Sequence, residues 1–213
     1  MIVDHRELLR YLGWRGQDID TGTQKAIDEA CDLCLAAARP MHTATLFDYD
    51  GDSLVGTGFS PSGADIRRHL SGCAKVIVLA VTIGADIDRT TERLFSSSSR
   101  KAVIFDSAAS CLVESLADDV CDELQRKYGP LTARFSCGYG DFPLAAQRDI
   151  CSLLRADTRI GLCVDAGGSL VPRKSITALL GVKGDGKPFP FSQADKCALC
   201  ANANCAARNR EPR

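Results

Sequence analysis

Two stretches of this 213-residue chain combine residue types that could do chemistry. Near its C-terminal end, Cys197, Cys200 and Cys205 form a Cys-x-x-Cys-x-x-x-x-Cys run flanked by Lys196 and Arg208. Thiolates at that spacing suit zinc or an iron–sulfur cluster, both of which need a compact array of sulfurs. A fourth ligand is missing locally and would have to come from Cys137, another distant cysteine or an exogenous group. A reduced tail without metal is the alternative, and metal is favoured over it. The other stretch is Arg134-Phe135-Ser136-Cys137-Gly138-Tyr139-Gly140-Asp141-Phe142-Pro143. A β-prone run from Leu131 to Phe135 breaks there into closely spaced glycines, which permit positive φ or a close approach of backbone to a ligand. Asp141 stands where an N-cap would, ahead of an apolar-periodic segment from Leu144. The arginine, tyrosine and aspartate equip this loop for an ion with an aromatic part. Taken by itself, the stretch reads as an ordinary strand-to-helix turn.

The familiar enzyme signatures are absent. No Gly-x-Gly-x-x-Gly follows a strand, and there is no Walker loop, His-Glu-x-x-His or Gly-x-Ser-x-Gly. His5, His42 and His69 are scattered and read as surface or satisfied residues. A net charge of −1 gives no electrostatic reason to expect nucleic acid or an anionic membrane. Apolar and charged fractions of 45% and 25% are those of a globular protein. The N-terminus turns polar within its first residues, and the longest apolar run, Val76 to Val81, is strand-sized, so neither export nor a membrane span is expected. A cytoplasmic protein follows, in which 11 cysteines are thiols or metal ligands rather than a disulfide framework. Cys111, Cys121, Cys151 and Cys163 read as small buried hydrophobes. Cys31 and Cys34 share the apolar face of a helix near Gln24 to Arg39, which favours a core stripe over a redox pair.

These residues need elements to position them. Helical spacing is expected over Glu7 to Trp14, Gln24 to Arg39, Ala64 to Ser71, Ile87 to Phe95, Ala102 to Tyr128 and Leu144 to Arg155. Thr43 to Tyr49 and Leu54 to Phe59 alternate around Asp50-Gly51 and predict a hairpin. Lys75 to Thr82 predicts a central buried strand, with further strands at Leu162 to Val164, Ser169 to Val171 and Ile176 to Val182. Ser96 to Ser99 reads as a loop. Without strict βαβ alternation, an α+β fold with a mostly antiparallel sheet is favoured over a doubly wound one. The division is a domain over 1–186 and a cysteine-rich tail over 187–213.

Joined to Glu114 on the long helix and to Pro172-Arg173-Lys174-Ser175, the glycine loop resembles the activation (reactivation) domain of cobalamin-dependent methionine synthase, in particular its short stand-alone relatives. In those relatives the loop reads Ser-Pro-Gly-Tyr-Gly-Asp-Phe/Trp-Pro-Leu. Here it is Ser136-Cys137-Gly138-Tyr139-Gly140-Asp141-Phe142-Pro143-Leu144, with cysteine in place of the family proline. Tyr11 to Gln17 and Thr82-Ile83-Gly84 are also similar, and the resemblance spans roughly residues 5 to 205 by element order.

The resemblance implies a site for S-adenosylmethionine, used to remethylate a corrinoid that has fallen to the cob(II) state. Arg134 would hold the methionine carboxylate and Glu114 the ammonium. Backbone around Cys137, Gly138 and Gly140 would meet the ligand, with Tyr139 against adenine or the sulfonium. The chain contains none of the homocysteine, folate or corrinoid modules, so the implied function is reactivation in trans. Its partner would be a corrinoid-binding methionine synthase or related methyltransferase carrying the cobalamin, with an electron donor protein; the tail's cysteines could relay that electron. Whether the chain is itself an enzyme, as a methyltransferase component, stays open. The rival is a metal- or iron–sulfur-binding accessory protein that no longer uses S-adenosylmethionine.

Overall fold

The computed structural model describes residues 1–184. Cys197, Cys200 and Cys205, the 187–213 tail and its expected metal lie outside the described residues.

Val76 to Val81 are all buried, and the strand they belong to has a core on each face. This is β2 (Lys75–Thr82), flanked by β1 (Met41–Asp48) on one side and β5 (Ser175–Val182) on the other, both antiparallel to it. Leu79 stands opposite Ala44 in β1 and Ala178 in β5. Because side chains alternate along a strand, Ile77, Leu79 and Val81 enter one core while Val76, Val78 and Ala80 enter the other. A strand buried on both faces reads as an unbroken apolar run, which is why this element was legible.

The first core is closed by helices α1 (His5–Tyr11), α2 (Thr21–Ala37), α4 (Ala85–Ser97) and α5 (Ser99–Tyr128). Helix α5 has 30 residues, about 45 Å of rise, and buries Phe105, Ala108, Leu112 and Ala117 beneath the sheet. Cys31 and Cys34 face this core, and burial pushes the Cys34 thiol up to about 12, as expected of packing groups rather than redox thiols. The second core lies under α3 (Ala64–His69), α6 (Ala146–Leu154) and α7 (Ala156–Ile160), where Ile66, Phe142, Ile150 and Leu154 meet. A short ribbon of β3 (Cys163–Val164) and β4 (Leu170–Val171) precedes β5. The α+β class with an antiparallel sheet holds.

Several expected elements take another form. Leu54 to Phe59 is not a strand, and β1 pairs with β2 instead of a hairpin partner. The Asp50 carboxylate accepts from the amides of Asp52 and Ser53, while the Thr57 hydroxyl donates to the Leu54 carbonyl and accepts from the Phe59 amide. These local bonds fold the segment into turns joined by isolated bridges, because short polar side chains compete with ladder pairing. Ser96 to Ser99 is not a loop either. Helix α4 continues to Ser97, and Ser98 caps α5 by accepting from the Lys101 amide. The helix expected over Leu144 to Arg155 starts at Ala146 and stops where Arg155 turns left-handed, with φ at 49°. Leu131 to Phe135 forms no strand, but lies along the outer edge of β5 through bridges Leu131–Val182 and Phe135–Leu179.

That edge is tight at Gly181. An added Cβ would collide with the Cys73 sulfur and stand 3.2 Å from Thr132 Cγ2. Gly181→Ala is expected to cost about 1–3 kcal/mol in urea unfolding. Adding Cys73→Ala should recover part of that loss, and strict additivity of the two changes would refute the collision.

Candidate functional site

The site is built on α5. Asp106, Ser110, Glu114 and Asp118 follow one another at four-residue spacing, so each neighbours the next along the helix surface. Two cations from later in the chain dock on this stripe. At its start Lys174 Nζ donates to Ser110 Oγ at 2.8 Å and pairs with Asp106 at 2.9 Å. At its far end Arg134 Nη2 donates to Glu114 Oε2 and Nη1 to Asp118 Oδ1, each at 2.6 Å.

Arg134 is the enclosed member, its side chain 8% exposed against 47% for Glu114 and 23% for Asp118. Burial works against the guanidinium charge, but Asp118 and Glu114 outweigh it and the group titrates above its ordinary value. Tyr11, at the end of α1, reports the same local field. Burial and then the Glu114 carboxylate raise its phenol, while Arg10, 4.8 Å from the ring centre, opposes them.

Arg134 and Glu114, expected to meet opposite charges of one ligand, are here in direct contact with each other. Asp118 was missed by sequence reasoning, although the signal was available: it is an acid one turn beyond Glu114. Lys174 fixes the Pro172–Ser175 turn to α5, aided by the Arg173 amide donating to Asp88 on α4 at 2.9 Å. That motif thus holds the start of β5 in place.

The glycine loop closes on itself. The Gly138 amide donates to the Phe142 carbonyl at 2.9 Å and the Phe142 amide to the Tyr139 carbonyl at 3.0 Å. Gly138 (φ 86°) and Gly140 (φ 53°) both lie in the left-handed region that glycine tolerates. At Gly140 the missing Cβ also makes room for a neighbour, since an added one would strike the Asp65 carboxylate. The close approach foreseen for a ligand is at this position an approach of α3. Gly138 has only Leu144 nearby, at 3.7 Å from an added Cβ. Tyr139 sits at the tip with 67% of its surface in solvent. Cys137 packs with Phe142 and Cys151 in the second core, where burial pushes its thiol up to about 12.

Asp141 caps a helix, but not the one that follows it. Its carboxylate accepts from the amides of Ala64 at 2.5 Å and Asp65 at 3.0 Å, at the start of α3. From the other end of α3, His69 Nε2 lies 2.8 Å from the Ala133 carbonyl. A carbonyl only accepts, so Nε2 carries the proton. Helix α3 therefore braces the segment from Ala133 to Asp141 at both ends, with His69 against Phe135 at 5.0 Å between ring centres. An open cleft of about 580 Å³ flanks this loop on its Pro143–Ala146 side, lined also by Phe59, Ser60 and Asp149; Arg134 and Glu114 do not line it.

No family model matches the chain, and no curated protein matches it. A solved structure does. The chain is similar to the crystal structure of the MetH reactivation domain bound to AdoHcy, with a TM-score of 0.64 and 14% identity over 90% of this chain and 77% of that one. The likeness is one of fold. Among the described residues no group of three or more His, Cys, Asp or Glu side chains is placed to hold a metal ion, and no helix is long and apolar enough to cross a membrane.

Both attachments of the brace depend on pH in the same direction. Burial holds His69 below its ordinary value of 6.5, so the folded state resists protonation and stability falls as pH drops below that value. The amides of Asp65 and Ala64 hold the Asp141 carboxyl below its ordinary 3.8. Its contribution is complete above that value and disappears as pH falls through the lower folded one. Hydrogen exchange at the Ala64 and Asp65 amides should accelerate in Asp141→Ala, and the Tm of the wild type should decline from pH 7 to pH 5. A His69→Gln variant with the same decline would show that His69 is not its source.

Proposed function

We propose that the protein binds S-adenosylmethionine through the Arg134–Glu114 pair and presents it to a separate corrinoid-dependent methionine synthase or related methyltransferase. The observation that carries this reading is the enclosed guanidinium held directly against acids on α5, in a fold similar to a reactivation domain bound to AdoHcy. The residues suit the ligand by charge. Its α-carboxylate requires a cation with planar, paired donors, which Arg134 supplies. Its ammonium requires an exposed carboxylate, and Glu114 is the more open of the two acids. Tyr139 offers a solvent-facing aromatic ring on a hinge of two glycines, to lie over adenine or the sulfonium. The cobalamin stays with the partner, and the electron for its reduction comes from a donor protein. This chain's share is to orient the methyl donor.

One observation favours a second reading, an accessory protein of the same fold that does not use S-adenosylmethionine. Both terminal nitrogens of Arg134 already have partners within the chain. Isothermal titration with S-adenosylmethionine separates the two. Binding that weakens by about 1.5–3 kcal/mol in Arg134→Ala, roughly 10- to 150-fold, supports the donor-binding role. A wild-type protein that gives no binding heat, or a variant that binds equally well, overturns it. Circular dichroism of the variant checks that the fold is intact.

A further inference from the structure

We propose that Asp118 is a built-in competitor for the ligand's carboxylate, so that the site opens only to a molecule exchanging both charges of a zwitterion at once. This inference rests on the binding role of Arg134 proposed above. In the structure Nη1 donates to Asp118 Oδ1 and Nη2 to Glu114 Oε2. The outer edge of the guanidinium, where one carboxylate would dock with two parallel bonds, is thus divided between two different acids.

With Arg134 only 8% exposed, while both acids keep more of their surface in solvent, a ligand reaches the guanidinium across those acids. A simple carboxylate arriving there must evict one acid and leave two anions facing each other. A simple amine can bind an acid but leaves the guanidinium where it was. An α-amino acid group does both jobs. Its carboxylate takes the edge vacated by Asp118, and its ammonium restores a positive neighbour to the acids. Charge pairs are exchanged rather than lost, so the ligand class selected is the α-amino acid zwitterion. Asp118 is then a specificity-determining residue: it sets how much a ligand must bring to displace it.

The test uses the whole chain and two probes in equilibrium binding. AdoHcy carries the amino acid group, whereas 5′-methylthioadenosine shares the nucleoside and sulfur but has neither charge. Asp118→Asn keeps a neutral acceptor for Nη1 in place of the charged one. Affinity for AdoHcy should rise about fivefold, the difference between a charged and a neutral hydrogen bond, while 5′-methylthioadenosine binding should not change. Unchanged or weaker AdoHcy binding in the variant, with the wild type binding normally, overturns the competitor role and leaves the proposed function standing. Failure of both probes to bind the wild type removes the underlying reading and this one with it. A measurement on the wild type guards against a variant that folds poorly. The Asp118 side-chain carboxyl carbon resonance should shift on adding AdoHcy and stay in place with 5′-methylthioadenosine; a resonance unmoved by bound AdoHcy contradicts displacement.

Discussion

A guanidinium almost removed from water must be neutralised by its surroundings, and that requirement organises one side of this molecule. Arg134 meets it with Glu114 and Asp118, side chains from a single helix. Taking such a charge out of water is costly, and removing one partner of an enclosed pair is more damaging than never having built it. The same helix receives Lys174 two turns earlier through Asp106 and Ser110. Helix α5 therefore serves as a spine with apolar residues toward the sheet and a ladder of acceptors along its flank. Arg134, just ahead of the glycine loop, and Lys174, in the turn before β5, are both pinned to that ladder.

A second arrangement fixes the loop from the opposite side. Helix α3 is only six residues long and has a glycine at its N-cap position, so it supplies no cap of its own. Asp141 provides one from 77 residues away, and His69 returns a contact to the backbone beside Arg134. A short helix and a glycine-rich loop would each be marginal alone. Here each satisfies the other's unpaired backbone groups, so the loop has a definite shape without regular secondary structure.

These arrangements explain what sequence could and could not disclose. The central strand was legible because burial on both faces leaves an uninterrupted apolar signature from Val76 to Val81. Helix α5 was legible from its periodicity, whereas Glu114 and Arg134 were singled out by a resemblance that set them on a ligand rather than on each other. Asp118 carried only the weaker signal of an acid one turn beyond Glu114, and its role emerged from its contact with Arg134. The Asp141 cap was assigned to the wrong helix because capping rules look forward along the chain, whereas this carboxylate crosses space to α3. Leu54 to Phe59 had strand-like alternation, but Asp50 and Thr57 offered the backbone nearer partners than a neighbouring strand. The cysteines at 197, 200 and 205 fall outside the described residues, so their reading rests on spacing alone.

The segment from Leu131 to Phe135 finds its lateral partners in Val182 and Leu179, at the very end of the described chain. Ribosomal synthesis proceeds from the other direction. When Arg134 emerges, its acids on α5 already exist, but the edge on which its own backbone must lie has not been made. Only after β5 has left the exit tunnel can that backbone settle beside it, so the ion-pair site depends on a strand made about 40 residues later.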